Sequence, residues 1–306
     1  MFSNFTSIPK YIKTVFIADL FSDDYVGGAE LTTDAFLKYS PSPIYKIHSH
    51  ALTAEAWDRI EKPNKKFVFF NWANLPFETV CKITDESRYG LNYSIVEYDF
   101  KLCKYRSYFK HKQETKTDCN CSENFEGLIK TDFYQSAKNI LWMSEKQKSI
   151  TVEKNPKIKQ LFNGNHHIQS STFDFETLDK LKKLKENTKK NDKFAILGSG
   201  SWIKGIQETE QYCLDNKINY EKIPNLPYSE FIKKLAEYKG FIFMPLDYDT
   251  CPRTVIEAKL LGCELILNEN VLHKDEDWFK DRTSEDVEKY LRTRPENFWQ
   301  IMTNNF

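Results

Sequence analysis

The chain has 306 residues, which is long enough for two α/β domains or one large one with a sizeable core. Its 44 lysine and arginine residues balance its 44 aspartate and glutamate residues, so no global field draws it to nucleic acid or membrane. An odd number of cysteines (seven), no apolar run of membrane-spanning length and no signal-peptide pattern predict reduced thiols and a cytoplasmic protein, with at most peripheral membrane contact.

Short apolar segments alternate with helical patterns from end to end. Several are continuously apolar, as is typical of strands buried on both faces. Predicted strands cover residues 14–20, 44–47, 67–71, 93–98, 140–143, 167–169, 194–198, 219–223, 240–244 and 264–268. Predicted helices cover residues 31–39, 175–186, 206–216, 228–238 and 254–261. This order predicts an α/β fold with parallel sheets and right-handed crossovers.

The clearest break is a polar, lysine-rich stretch over residues 182–193. It follows a helical pattern and precedes a new apolar strand, as a domain boundary does. We therefore expect an N-terminal domain over 1–175, a C-terminal domain over 176–290, and a terminal helix over 291–306. That helix could be a plain cap or could return to the first domain.

A glycine-rich turn follows the predicted strand 194–198. It contains Gly198, Gly200, Lys204 and Gly205 and leads into a helix. Such a turn aims free backbone N–H groups at one point and can cradle a phosphate, with Lys204 adding a cation. The alternative is an ordinary turn whose lysine faces solvent.

A second motif follows the strand 240–244. Asp249 or Thr250 can cap the next helix, Pro252 suits its first turn and Gly262 suits its end. Glu257 falls on the apolar face of that helix, where an unpaired carboxylate is costly. It needs a partner, either a neighbouring lysine or arginine or the vicinal hydroxyls of a ribose.

These residues resemble a known family. Asp249 and Glu257, seven intervening residues apart, are similar to the acidic-x7-Glu signature of retaining GT-B glycosyltransferases of the family-four group. Lys204-Gly205 resembles the "KG" motif of that family, and Gly27-Gly28-Ala29-Glu30 resembles its "GGAE" loop. The resemblance implies two Rossmann-like domains facing across a cleft. It also implies a nucleoside diphosphate sugar as co-substrate, with no cofactor and no metal.

The resemblance also implies roles for the matching residues. Lys204 would neutralise the donor diphosphate, Glu257 would hold the ribose, and Asp249 would hold a sugar hydroxyl. The backbone N–H groups of Thr250 and Cys251 would meet the diphosphate or the sugar. Asp247-Tyr248-Asp249 also has the bare Asp-x-Asp pattern of metal-dependent donor sites, but Asp249 is already assigned to the acidic-x7-Glu signature.

Further donor contacts would come from both domains. Gly27 and Gly28 would let the first-domain backbone approach the donor, and the nucleobase would sit near residues 224–228, beside Tyr228. The sequence departs from the family pattern in two places. An aspartate stands where glutamate is usual, which indicates a different donor sugar. Ser199 replaces a basic residue, a loss for which Arg253 could compensate.

Candidate acceptor residues lie in the first domain. His48 and His50 flank the end of a short strand and would point the same way. They could be ordinary surface residues or a weak metal-binding pair. Alternatively, one of them faces the cleft, and the resemblance favours His50 for that role. Asn71, Asn74 and Glu97 end later strands, where α/β ligand sites collect. Turn chemistry alone would also place them there.

Residues 101–112 read KLCKYRSYFKHK, with five basic residues, no acid and interleaved aromatics. This segment, with Lys104 and Arg106, is either a solvated excursion or a platform for a phosphorylated acceptor. Within and after it lie Cys103, His111, Cys119 and Cys121, whose spacing matches no familiar zinc pattern. Free thiols are the default there, and a structural metal clip is the alternative.

Together these observations predict a retaining glycosyltransferase that acts on a lipopolysaccharide or other envelope glycan. The alternatives are a glycosyltransferase that modifies a hydroxylated DNA base, a nucleotide-sugar epimerase, and a non-catalytic GT-B binding module. Nucleic acid is the less favoured acceptor because zero net charge gives little non-specific affinity for a duplex. The sequence does not identify the donor sugar, the nucleobase or the oligomeric state.

Overall fold

The chain forms two compact units in the computed structural model, which describes residues 8–155 and 165–304. The first unit comprises residues 1–169 and 295–306, and the second comprises residues 170–294. The second unit thus starts at Ser170 rather than at 176. The reason is local: the Ser171 hydroxyl donates to the Cys251 carbonyl at 2.7 Å, and the Arg253 guanidinium donates to the Thr172 carbonyl.

The first unit is built on a six-stranded, all-parallel sheet of order β2-β1-β3-β4-β5-β6. Its central strands are buried throughout, as their continuously apolar sequences predict. The strands are β1 (Thr14–Ala18), β2 (Ile44–His48), β3 (Lys66–Phe69), β4 (Tyr93–Glu97), β5 (Asn139–Trp142) and β6 (Asn165–Ile168). The helices are α1 (Gly28–Lys38), α2 (Ala54–Asp58), α3 (Phe77–Ser87), α4 (Tyr108–Thr115), α5 (Phe125–Ser136) and α6 (Glu145–Lys154).

The second unit is built on a four-stranded, all-parallel sheet of order β10-β9-β7-β8. Strand β9 is buried along its length and lies between β7 and β10. The strands are β7 (Phe194–Leu197), β8 (Tyr220–Ile223), β9 (Gly240–Phe243) and β10 (Glu264–Leu267). The helices are α7 (Phe175–Asn187), α8 (Ile206–Asp215), α9 (Tyr228–Ala236), α10 (Arg253–Leu260) and α11 (Ser284–Arg292).

The terminal helix α12 (Arg294–Asn304) packs on the first unit. The Phe298 ring stacks on Phe36 of α1 with centroids 4.0 Å apart, and the Trp299 indole N–H donates to the Phe36 carbonyl at 3.0 Å. The Lys66 ammonium, at the start of β3, donates to the Met302 carbonyl at 2.9 Å. These aromatic contacts bury the helix's apolar face against the sheet.

Both sheets contain a point at which the strand order reverses. In the first unit β1 pairs with β2 on one side and with β3 on the other, and in the second unit β7 lies between β8 and β9. Open α/β sheets bind ligands beyond the carboxyl ends of the strands at such a point. The segments after β1 and β3, and after β7 and β9, are therefore where site residues belong.

Each predicted strand segment overlaps an observed strand, and each predicted helix is present, with shifts of a few residues at the ends. Helices α2, α3, α4, α5 and α6 were not predicted from the sequence. No helix among the described residues is long and apolar enough to cross a membrane.

Candidate functional site

The glycine-rich turn of the second unit connects β7 to α8 at the reversal point. A side chain at Gly198 would place its Cβ 2.5 Å from the Ile223 carbonyl oxygen. Gly205 has φ +59°, and a Cβ there would lie 2.0 Å from the Met244 carbonyl oxygen. Both positions therefore need glycine so that the turn can pack against the ends of β8 and β9. A Cβ at Gly200 would meet nothing within 4 Å, so packing does not explain that residue.

Lys204 ends a short 3-10 turn (Trp202–Lys204) directly before α8. Its ammonium donates to Asp249 Oδ2 at 2.8 Å and lies 5.4 Å from the centroid of the Phe243 ring at the end of β9. The Lys204 side chain is 31% exposed and that of Asp249 is 15% exposed. The turn thus places a partly exposed cation at the carboxyl ends of β7 and β9, where an anionic ligand can reach it.

Asp249 is held by backbone pairing rather than by helix capping. Its N–H donates to the Asn270 carbonyl at 2.8 Å, and its carbonyl accepts from the Leu272 N–H at 3.0 Å. The prediction that Asp249 or Thr250 caps the next helix was wrong, because α10 begins at Arg253 and its N-cap is Pro252. Proline has no side-chain oxygen with which to cap, so Pro252 itself leaves the first N–H groups of α10 without a side-chain acceptor.

Glu257 lies in the interior of α10 and is only 2% exposed. Its Oε1 accepts a hydrogen bond from the Tyr228 hydroxyl at 2.7 Å and lies 3.3 Å from Nε of Arg253, one turn earlier. Burial raises the pKa of Glu257, while the Arg253 charge and the Tyr228 hydrogen bond lower it. The partner predicted for the Glu257 carboxylate is therefore present in the structure, and it is Arg253.

Arg253 is itself fixed in the interior. Its guanidinium carbon lies 3.7 Å from the centroid of the Phe173 ring, and its Nη1 donates to the Thr172 carbonyl. Arg253 therefore supports Glu257 instead of reaching a ligand at the surface. Cys251 is buried beside it, where burial raises the pKa of the thiol to about 12. The Cys251 side chain is therefore a neutral structural group.

In the first unit the glycine pair begins α1. Gly27 is the N-cap residue with an extended backbone, and Gly28 is the first helical residue. A Cβ at Gly27 would lie 2.5 Å from Glu30 Oε2 and 2.7 Å from a ring atom of Tyr25. Glu30 is buried, and burial raises the pKa of its carboxyl. The small residue at 27 therefore leaves room for a carboxylate in the first turn of the helix.

Two of the predicted acceptor residues, Arg106 and Asn71, contact one another. Arg106, in a left-handed conformation with φ 56°, donates from Nη2 to Asn71 Oδ1 at 3.1 Å and from Nε to Asp99 Oδ2 at 2.6 Å. Lys104 is exposed, with its ammonium 4.9 Å from the centroid of the Tyr105 ring, and it lines the same surface cavity as Arg106. The fold thus assembles Arg106, Asn71 and Asp99 at the carboxyl ends of β3 and β4.

The segment 101–112 is less basic in the fold than in the sequence. The Lys101 ammonium is buried and lies 2.7 Å from Glu97 Oε1 and 3.0 Å from Asp99 Oδ1, while Lys112 pairs with Asp118 at 3.1 Å. Burial raises the pKa of Glu97 to about 7, although Lys101 and the Tyr134 hydroxyl oppose the shift. Acidic residues outside the segment therefore neutralise much of its charge.

Asp19 is a site residue that the sequence analysis missed. It follows β1 directly, is 4% exposed, and accepts hydrogen bonds from the N–H groups of Ala73 at 3.0 Å and Asn74 at 2.9 Å. The Ser49 hydroxyl also donates to it. A carboxylate immediately after a fully buried strand was the signal that could have identified it. Asp19 ties together the chain segments that follow β1, β2 and β3.

His48 and His50 flank the end of β2, and their ring centroids lie 5.6 Å apart, as two side chains that point the same way would. Strand β2 ends at His48, and His50 is exposed in a 3-10 turn (Ser49–Ala51). The strand ends there because the Ser49 side chain turns inward to Asp19. His48 Nε2 lies 3.7 Å from Asp24 Oδ2.

No protein-family model matches the chain, and no curated protein sequence matches it. Solved structures are similar to it. The trehalose-6-phosphate synthase OtsA is 8% identical, with 96% of each chain covered and a TM-score of 0.53. A UDP-forming α,α-trehalose-phosphate synthase from Burkholderia xenovorans is 9% identical, with a TM-score of 0.50 over 84% of this chain and 74% of that one. WaaG, a glycosyltransferase involved in lipopolysaccharide biosynthesis, is 12% identical, with a TM-score of 0.49 over 94% and 92%.

At these identities the similarity defines the fold. The α/β fold with two parallel sheets is that of the GT-B glycosyltransferases, as the sequence predicted.

Proposed function

We propose that this protein is a retaining glycosyltransferase that takes its sugar from a nucleoside diphosphate donor bound to the second unit. The observation that carries the proposal is the pair of Lys204 and Asp249, 2.8 Å apart, at the strand-order reversal of the second sheet. A partly exposed cation, a glycine turn and a helix N-terminus whose N-cap is proline lie together at this edge, as in a diphosphate site.

The ion pair suggests how the donor binds. The diphosphate would take the Lys204 ammonium from Asp249, and its oxygens would also meet the first N–H groups of α10. Asp249, released from the lysine, would accept a hydrogen bond from a sugar hydroxyl. When the bond between the sugar and the diphosphate breaks, Lys204 would stabilise the charge on the departing phosphate. That phosphate would take the acceptor's proton as the new glycosidic bond forms, as is thought for similar retaining enzymes.

Glu257 is proposed to hold the ribose. The contacts of Glu257 with Tyr228 and Arg253 both use Oε1, so Oε2 would accept from the ribose hydroxyls. Because Glu257 is 2% exposed, the ribose must displace the Tyr228 side chain at the start of α9. Uracil is the first nucleobase to test, since one structurally similar synthase is described as UDP-forming.

The acceptor is proposed to bind the first unit beyond β1, β3 and β4. Arg106 and Lys104 are the exposed cations there, and Asn71 and Asp99 surround Arg106 with acceptor oxygens. Cations beside hydroxyl-binding oxygens suit a sugar that carries phosphate. A lipopolysaccharide or another envelope glycan is therefore the proposed acceptor.

The test is donor turnover. Wild-type protein is incubated with a panel of uridine, adenosine, guanosine and thymidine diphosphate sugars, and the released nucleoside diphosphate is measured by ion-exchange chromatography. We expect release from one donor class, lost in Lys204→Ala and retained in the exposed-lysine control Lys189→Ala. Conversion of the donor to an isomer would instead indicate an epimerase. Donor binding without turnover in the presence of glycan extracts would indicate a binding module.

A further inference from the structure

We propose that Cys103, His111, Cys119 and Cys121 form a structural zinc site in the first unit. The fold brings one ligand atom from each of these residues within 4.8 Å of all the others. Their sequence spacing matches no familiar zinc motif, so the grouping results from the tertiary structure. It is the one such grouping of three or more metal-ligating side chains among the described residues.

The distances match the edges of a zinc tetrahedron. With Zn–S about 2.3 Å and Zn–N about 2.0 Å, a tetrahedral angle places sulfur and nitrogen about 3.5 Å apart. His111 Nδ1 lies 3.6 Å from Cys103 Sγ and 3.5 Å from Cys121 Sγ. The separations between this imidazole nitrogen and the two sulfurs are therefore those expected between two ligands of one tetrahedral zinc ion.

The chemistry of the ligand set selects the metal. Three thiolates and one imidazole favour zinc over magnesium or calcium, which prefer oxygen ligands. Four protein ligands complete the coordination shell and leave no position for water or substrate, so the site is structural. Cys103, His111 and Cys121 are 1%, 3% and 6% exposed, so most of the ion would be shielded from solvent.

The neighbouring elements hold the ligands in place. His111 projects from α4, and Cys121 begins a 3-10 turn (Cys121–Glu123) directly before α5. Gly127, in the first turn of α5, lies so close to this turn that a Cβ there would be 1.9 Å from the Cys121 carbonyl oxygen. The edge of the Tyr105 ring faces the imidazole of His111, with centroids 5.6 Å apart. The zinc would therefore fasten α4 and the loop after it to the turn at Cys103.

The position of the zinc site suggests that the metal affects the segment that carries Lys104 and Arg106. Lys104 and Arg106 lie between the first two ligands in the chain. Zinc would set the conformation of that segment whatever molecule binds there. The inference does not depend on the proposed transferase activity.

The experiment measures metal content. The full chain, produced in zinc-supplemented medium and purified without a polyhistidine tag or chelator, is analysed by inductively coupled plasma mass spectrometry. We expect close to one zinc per chain. His111→Asn and Cys121→Ser should each lose most of it, whereas Cys81→Ser, which removes a half-buried thiol outside the cluster, should keep it. Zinc content unchanged in the first two variants would overturn the assignment.

A second measurement covers the case in which the variants fail to fold. The wild-type chain is stripped with chelator under reducing conditions and refilled with Co²⁺. Tetrahedral thiolate ligation predicts intense d–d bands in the red and a charge-transfer band in the near ultraviolet, both displaced by one equivalent of Zn²⁺. Absence of these bands, or a metal-free chain whose intact mass is lower by two hydrogens, would overturn the proposal. The latter result would show a disulfide instead.

Discussion

Replacing Lys204 with alanine separates donor binding from fold stability. In the free protein its ammonium contacts Asp249 at 2.8 Å, with the two side chains 31% and 15% exposed. A partly exposed ion pair of this kind contributes about 0.5–1 kcal/mol, so the free energy of unfolding should fall by no more than that. Lys204 lies outside α10, so the packing of the buried side chains of that helix should remain unchanged.

The effect on the donor should be larger. A hydrogen bond from an ammonium to a phosphate oxygen contributes about 1.5–3 kcal/mol. Its loss should weaken nucleoside diphosphate binding roughly 10- to 150-fold. The expected signature is therefore a loss of affinity that clearly exceeds the loss of stability.

Two assays on the same preparations check this. Isothermal titration calorimetry with the nucleoside diphosphate gives Kd, and urea denaturation followed by circular dichroism gives the free energy of unfolding. Lys204→Met keeps the side-chain volume without the charge and should behave like Lys204→Ala, while Lys189→Ala should match wild type. An affinity changed less than about threefold, or a change in Kd explained by lost stability, would refute the assignment of Lys204.

Three other perturbations have definite outcomes. Gly205→Ala should lower the free energy of unfolding by more than about 1 kcal/mol in urea denaturation, because φ is +59° and the new Cβ would meet the Met244 carbonyl oxygen at 2.0 Å. Glu97 has a folded pKa of about 7, above its ordinary 4.5, so its contribution to stability is complete below pH 4.5 and is lost as the pH rises through about 7. The free energy of unfolding of the wild type should therefore fall relative to that of Glu97→Gln as the pH rises from 4.5 to about 7. Lys104→Glu should raise the acceptor KM by roughly threefold to tenfold, because it removes a charge contact of about 1 kcal/mol. Donor hydrolysis, measured in the same chromatographic assay, should be unchanged.

Each of these has a control. Gly90 also has a positive φ, of +95°, but a Cβ there meets nothing within 4 Å, so Gly90→Ala isolates the backbone contribution from the contact with Met244. A pH-independent difference for Glu97→Gln would show that the buried carboxyl does not titrate in this range. An acceptor KM insensitive both to Lys104→Glu and to salt would remove the segment 101–112 from the acceptor site.

The strands and the glycine turn of the second unit could be predicted from the sequence because their determinants are local. Buried parallel strands are apolar along their length, and a glycine turn followed by Lys204 is contiguous in the chain. The position of Glu257 on an apolar helix face predicted that its carboxylate has a partner. Arg253 lies one helical turn before it. The sequence could not choose between that arginine and a ribose.

What the sequence did not reveal depends on contacts between distant segments. The pairing of Lys204 with Asp249 joins residues 45 positions apart. Asp19 gains its partners from the segments after two other strands, and Arg106 is neutralised by an acid outside the basic run. The cluster around His111 likewise has no motif until the chain turns back on itself.

The measurement that tests the central claim most directly is nucleoside diphosphate release from the donor panel by the wild type, Lys204→Ala and Glu257→Gln. The account predicts turnover of one donor class by the wild type, near-complete loss in both variants, and normal turnover in Lys189→Ala and in Glu186→Gln, a change at an exposed glutamate of the second unit. Equal turnover by all five proteins would contradict the site. Failure of every donor to bind or react with the wild type would contradict the proposed function itself.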